Sequence, residues 1–256
     1  MTSSEIKSKA RESLSNKWGK AALITFCYFV IEFLINFMIS GSERSFPLLS
    51  SLLSIAGAVI SVPLAYGIMM SFMKLKRSEN VEAFDFFTDG FSNFGRAWGI
   101  TWKVIKKMIL PIIYLIIATC VFLAFLSSVP PCIGSNSSII LLSFLFIIWS
   151  LALLALYVWV AIKSLFYVLV YQVAYDNPNL SSKEVVEESE KLMTGNRGKY
   201  FVLQLSFIGW AILACLTFGI GFLWLTPYIT ISTICFYEAL AGKSDSPIEV
   251  DSEEVE

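Results

Sequence analysis

Three polar residues, Glu32, Asn36 and Lys163, lie in or beside apolar runs where their side chains could do chemistry. Glu32 falls near the middle of the run Ala21 to Ser40, where an ionised carboxylate costs about 3 kcal/mol or more unless a partner or a water-filled cavity stabilises it. Asn36 follows one helical turn later and could hydrogen-bond Glu32, and Lys163 is a candidate cationic partner. These residues indicate a proton relay or an ion pathway. The alternative is a protonated glutamate that hydrogen-bonds a neighbouring helix and has no role in turnover.

Other chemistry-bearing patterns are missing from the sequence. Histidine is absent from the 256 residues, which removes the commonest general base and metal ligand. No two cysteines have C-x-x-C spacing, and most lie in apolar runs, so we expect buried small side chains rather than a metal site or disulfides. No phosphate-binding glycine loop, nucleophile elbow or nucleic-acid-binding stripe occurs. We therefore expect no enzyme, cofactor, metal or nucleic-acid partner. The cysteines are Cys27, Cys120, Cys132, Cys215 and Cys235.

The elements that carry these residues are predicted to be membrane helices. Hydrophobic residues make up 56% of the chain, charged residues 15%, and the mean hydropathy is +0.71, whereas a soluble domain is about one quarter charged. A helix needs about 20 apolar residues to cross the hydrocarbon core. The last apolar block is too long for one span, and Gly219 and Gly221 near its middle predict a turn. We predict an all-α, polytopic membrane bundle in a single domain, residues 1–243. Its six transmembrane spans are 21–40, 48–73, 108–128, 138–162, 200–218 and 222–240.

The distribution of basic residues supports an even number of spans. Five precede the first span, seven lie between the second and third, and four lie from Lys183 to Lys199, whereas the alternate loops hold only Arg44. This pattern follows the positive-inside rule, so we predict a multi-pass protein of the plasma membrane with both termini cytoplasmic. The first span lacks a cleavage site of the A-x-A type and is expected to be retained.

Three hydrophilic segments, 4–18, 81–104 and 181–194, are predicted to be cytoplasmic amphipathic helices at the membrane interface. Ser181 and Glu184 have the spacing of a capping box, and aromatic and basic residues border each segment, as the headgroup region favours. The acidic residues, Asp176 among them, show no metal-binding spacing and are expected on solvated faces or at caps. Three tandem units of one amphipathic helix and two spans are one interpretation, and borders that any multi-pass protein repeats are the other. The acidic tail, 244–256, is expected to be disordered.

Several stretches of this chain resemble an uncharacterised family of bacterial multi-pass membrane proteins, the domain of unknown function number 975. The resemblance covers nearly the whole chain and is most specific from Asp176 to Leu240. It implies an integral membrane protein with about six spans, and it brings no catalytic residues with it. The stretches are "KARESLSNKWGKA", "SEKLMTGNRGKYF", "LSFIGW", "LTFGIGFLWLTPY" and "FYEAL".

Two classes of function follow from these patterns. The first is a non-enzymatic membrane component that acts through the lipid bilayer, a membrane-protein partner or a cytoplasmic partner; the borders rich in basic and aromatic residues favour it. The second is a small transporter or permease that uses Glu32 and helices broken at Pro63 and Pro227. The sequence indicates neither a substrate nor an oligomeric state.

Overall fold

In a computed structural model, residues 2–42, 47–128 and 136–243 are described, and this part of the chain is helical without strands. A 3-10 turn, Leu165–Tyr167, joins the sixth and seventh helices. The helices, in chain order, are α1 Ser3–Ser13, α2 Trp18–Ser42, α3 Pro47–Lys76, α4 Asp85–Ser92, α5 Phe94–Ser128, α6 Asn136–Ser164, α7 Val170–Asp176, α8 Ser182–Met193, α9 Arg197–Leu205, α10 Ile208–Leu216 and α11 Phe222–Leu240.

Five helical segments within the described residues are long and apolar enough to cross a membrane. The all-α membrane fold predicted from composition is therefore confirmed, but the count of six spans is not, because α11 is not among the five. The five segments are Trp18–Gly41, Leu48–Lys76, Phe94–Ala124, Ser143–Asp176 and Arg197–Leu216.

Local sequence signals explain where two of the short helices begin. Thr2 with Glu5 and Ser181 with Glu184 form reciprocal capping boxes that start α1 and α8. The predicted helix 81–104 is instead divided at Asn93 into α4 and the first turns of α5, which continues without a break into the apolar segment. Helix α7 lies in a segment for which the sequence analysis predicted no element. The tail 244–256 and Cys132 lie outside the described residues.

The buried core is concentrated where the short helices cover the long ones, a region that we call the packed end. Away from it, α5 and α6 leave large apolar side chains bare, such as Tyr114 at 70% and Ile148 at 62% exposure. Apolar surface of this extent needs lipid to cover it. The helices of the packed end are α1, α4, α7 and α8. Its fully buried side chains include Leu14, Ile24, Tyr66, Phe72, Phe86, Leu169, Met193 and Leu203.

Two glycines allow α3 and α4 to cross in backbone contact. A Cβ on Gly67 would lie 1.8 Å from the carbonyl oxygen of Phe86, and a Cβ on Gly90 would lie 2.3 Å from that of Pro63. Small residues allow such approach between helices. Phe86 on α4 is thereby fully buried, and the Lys74 ammonium pairs with the Asp89 carboxylate at 2.7 Å.

Pro63 lies inside α3 and leaves a main-chain carbonyl free one turn earlier, because proline has no N–H to donate. That carbonyl belongs to Val59, and the indole Nε1–H of Trp98 donates to it at 3.1 Å. The transport hypothesis requires Pro63 to break α3, but the helix continues through the proline. Pro63 instead creates an acceptor that fastens α5 to α3.

Basic side chains hold the ends of other helices at the packed end. The Lys17 ammonium donates to the carbonyl of Leu75 at 2.9 Å, and the Arg96 guanidinium donates to the carbonyls of Ala174 and Asn177 at 3.1 and 2.7 Å. Helix C-termini carry free carbonyls and partial negative charge, so cations stabilise them. Lys17 and Arg96 therefore contribute to packing within the protein as well as to the charge pattern along the chain.

Candidate functional site

The structure does not bring together the three polar residues predicted from the sequence. Glu32 is partly exposed on α2, and the Tyr28 hydroxyl faces its carboxylate from one turn earlier. The Asn36 amide donates to the main-chain carbonyl of Glu32 at 2.8 Å, not to the carboxylate. The Lys163 ammonium lies over the Trp159 ring at 5.7 Å, and no ion pair with Glu32 exists within the described residues.

The sequence predicted Asp176 on a solvated face or at a cap, but its carboxylate is buried where three helices meet. The Asp176 side chain is 1% exposed at the end of α7 and accepts hydrogen bonds from three groups. Arg77 donates at 2.5 Å, the Tyr237 hydroxyl at 3.0 Å and the Lys243 ammonium at 2.9 Å. The prediction was wrong because the chain folds α3, α7 and α11 together around this group. With its acceptor sites occupied, Asp176 fits a structural role.

An apolar groove lies beside α1, and we call it the tryptophan groove. It has a volume of about 520 Å³, and Trp18, Trp210 and Trp224 line it together with Leu213 and Leu225. Ligand pockets for small molecules are commonly of about 300–1,000 Å³ and mainly apolar, with few polar groups. The groove fits that description. Its walls come from the start of α2, from α10 and from the first half of α11.

The charged residue that lines the groove is Arg11, and Thr217 and Tyr228 add hydroxyl groups to the same lining. Arg11 lies on the exposed side of α1, and within the described residues it makes no ion pair with a carboxylate. The ammonium of Lys7 lies one turn away, over the Phe207 ring at 4.6 Å. Partial burial, with the charge of Arg11 added, lowers the pKa of Lys7. The two cations therefore leave net positive charge at one end of an apolar groove.

No pattern in the sequence predicts that the residues of this groove meet. Arg11 was one of the basic residues that precede the first span, and Trp224 lay in the block predicted to form the last two spans. Chain segments about 200 residues apart meet here. The tryptophans on either side of Gly221 could be noticed in the sequence, but they do not indicate that α1 packs beside them. The cysteines show the same limit, since Cys120 and Cys215 are exposed on apolar surfaces rather than buried as predicted.

The long apolar helices and the bare apolar surface define an integral membrane protein of the helical class. Over residues 1–244 the chain matches the family described as "Protein of unknown function (DUF975)", and it belongs to that family. No curated protein matches the chain. No solved structure matches it either. The family membership confirms the resemblance drawn from the sequence motifs, and it assigns no activity.

Proposed function

We propose that this protein is a non-enzymatic component of the plasma membrane that binds an anionic lipid of the bilayer in the tryptophan groove. The observation that carries the proposal is the guanidinium of Arg11, free of any carboxylate partner in the described chain, at one end of an apolar cavity of about 520 Å³. Arginine binds phosphate oxygens through paired hydrogen bonds. Tryptophan rings favour the boundary between headgroups and acyl chains.

The arrangement accommodates the two ends of a lipid separately. The phosphate lies against Arg11, with Lys7 adding a second positive charge nearby. An acyl chain lies against Trp210, Leu213 and Leu225, where burial of each CH₂ contributes about 0.8 kcal/mol. No proton transfer or bond cleavage is needed, which agrees with a non-enzymatic role.

We propose with this function that both termini lie on the cytoplasmic side. Helices α2, α3, α5 and α6 return the chain to the side on which it starts, and the basic segments before α2 and after α6 share that side. Six crossings, as predicted from the sequence, require α9–α10 and α11 to traverse the bilayer as well. Both termini keep the same side whether or not that last pair crosses completely.

The test is lipid retention by the purified full-length protein, measured by native mass spectrometry. The protein is offered phosphatidylglycerol and phosphatidylcholine in equal amounts. We expect preferential retention of phosphatidylglycerol and at least about tenfold weaker retention by Arg11→Gln, because one charge-assisted hydrogen bond contributes about 1.5–3 kcal/mol.

The matched control is Lys103→Gln, which removes an exposed cation on α5, away from the groove. It should retain phosphatidylglycerol like the unchanged protein, and Arg11→Lys should recover part of the loss. Equal retention by Arg11→Gln and the unchanged protein would contradict lipid binding at this groove.

A further inference from the structure

The last three helices form one antiparallel hairpin. The rings of Tyr200 and Phe236 lie 5.4 Å apart, and those of Phe207 and Tyr228 lie 5.1 Å apart nearer the turn. At the turn, Gly221 lies against the backbone of Ala214. Helices α9 and α10 therefore run alongside α11 with a shared tip at residues 217–221.

Helix α1 packs against this hairpin near its middle. The Lys7 ammonium donates to the carbonyl of Ser206 at 3.0 Å, and the Tyr228 hydroxyl donates to the carbonyl of Lys7 at 3.5 Å. Tyr228 is six residues beyond the start of α11, which is about 9 Å along a helix. Ser206 precedes the tip by eleven residues, which is about 17 Å along a helix. The two contacts together put the tip on the order of 10–17 Å beyond Lys7.

The charges of α1 limit how deep Lys7 can lie in the membrane. Its eleven residues include Lys7, Lys9 and Arg11, and such a helix cannot enter the hydrocarbon core. The core is about 30 Å thick. A tip that extends on the order of 10–17 Å beyond the charged helix therefore ends near the bilayer midplane, and not on the far side.

Helix α2 provides an internal comparison. It starts at Trp18, whose ring lies 6.1 Å from that of Tyr228, so it sets out from the same level as the hairpin's middle. Its 25 residues extend about 37 Å, which is enough to cross.

The backbone of the tip is hydrogen-bonded within itself, as non-helical backbone inside a bilayer must be. Consecutive N–H groups donate to the chain: Phe218 to Cys215, Gly219 to Ala214, Ile220 to Thr217 and Phe222 to Gly219, each to a carbonyl. The N–H of Gly221 donates to the hydroxyl of Thr217 at 2.9 Å. The outermost side chain, Phe218, is fully exposed and apolar, which suits acyl chains and not water.

We infer that α10 and the first turns of α11 form a re-entrant hairpin, which enters the bilayer from the side of α1 and turns back inside it. The tryptophan groove then opens to one leaflet, the leaflet on the side of α1, and takes its anionic lipid from there. This leaflet assignment rests on the proposed function. The topology of the hairpin does not.

The test is the accessibility of single cysteines in the full chain, with the native cysteines replaced by alanine. Phe218→Cys reports the tip, Gly41→Cys the far end of α2, and Lys183→Cys the exposed surface of α8. A membrane-impermeant maleimide is applied to whole cells and to inside-out vesicles.

We expect Gly41→Cys to label in whole cells, Lys183→Cys to label in inside-out vesicles, and Phe218→Cys to label in neither preparation but fully in detergent. Labelling of Phe218→Cys in whole cells at the rate of Gly41→Cys would overturn the re-entrant hairpin. Labelling in inside-out vesicles at the rate of Lys183→Cys would also overturn it. Ile220→Cys, at a 61% exposed position on the same tip, should behave like Phe218→Cys.

The failure of the lipid proposal can be told apart from failure of the hairpin. If lipid retention is insensitive to Arg11→Gln while Phe218→Cys stays protected, the groove does not bind lipid but the hairpin is re-entrant. If Phe218→Cys labels from outside while Arg11→Gln still loses lipid, the groove binds lipid but the hairpin crosses the bilayer.

Discussion

Replacement of Gly67 by alanine should separate α3 from α4. The added Cβ would lie 1.8 Å from the carbonyl oxygen of Phe86 and 2.8 Å from its carbonyl carbon. Both atoms belong to the backbone, so no side-chain rotation relieves the clash. Because real Cβ contacts stay beyond 3.0 Å, α4 must move away by on the order of 1 Å, against a close-packed neighbour.

The magnitude follows from three contributions. Overpacking against a rigid neighbour costs about 1–3 kcal/mol. Partial exposure of Phe86, now fully buried, adds about 1 kcal/mol. Alanine in place of a helical glycine returns about 1 kcal/mol. The net expectation is a loss of about 2 kcal/mol in the free energy of unfolding, or roughly 4–8 °C in Tm for a chain of this size.

The assay is thermal unfolding of the purified protein in detergent, followed by tryptophan fluorescence. Gly95→Ala is the matched control, because a Cβ there meets nothing within 4 Å near the start of α5. Its Tm should stay level or rise slightly. Equal Tm values for Gly67→Ala and Gly95→Ala would refute backbone contact between α3 and α4.

Two further predictions concern polar side chains that join one helix to another. Asp176→Asn removes the charge that Arg77 and Lys243 share and should lower the free energy of unfolding by about 2 kcal/mol. Glu187→Gln should change it by less than about 0.5 kcal/mol, because its pair with Lys183 is exposed; equal effects in chemical denaturation would exclude the junction described for Asp176. Trp98→Phe should cost about 1–2 kcal/mol by leaving the carbonyl of Val59 without its donor. That cost should shrink in a Pro63→Ala background, where residue 63 regains an N–H for this carbonyl, and a double-mutant cycle with no coupling would contradict the interpretation.

Apolar run length predicted most of the long helices. The spans 21–40, 48–73 and 138–162 correspond to α2, α3 and α6, each of which extends a few residues further at its ends. The boundary between a predicted interfacial helix and a span at 104–108 does not exist, because lysine continues a helix as well as apolar residues do. Basic residues indicate where a helix leaves the membrane, but the helix itself can continue beyond them.

Contacts between distant chain segments could not be predicted from the sequence. Helix α7 has seven residues and no side-chain cap, so its stability comes from burial of Val170, Val173 and Ala174. The groove likewise depends on α1 meeting α10 and α11. Periodicity shows that α1 has an apolar face, but not which helix covers that face.

Protein surrounds the second half of α11. Residues Ile231 to Tyr237 are all buried, so their environment is other side chains and not lipid. The hydroxyls of Ser232 and Thr233 donate to carbonyls of their own helix at 2.7 and 3.0 Å, and need no outside partner. Helix α10, by contrast, exposes Trp210, Leu213 and Leu216. One arm of the hairpin therefore packs on protein and the other leaves apolar side chains bare, and the tryptophan groove forms where both arms meet the charged helix α1.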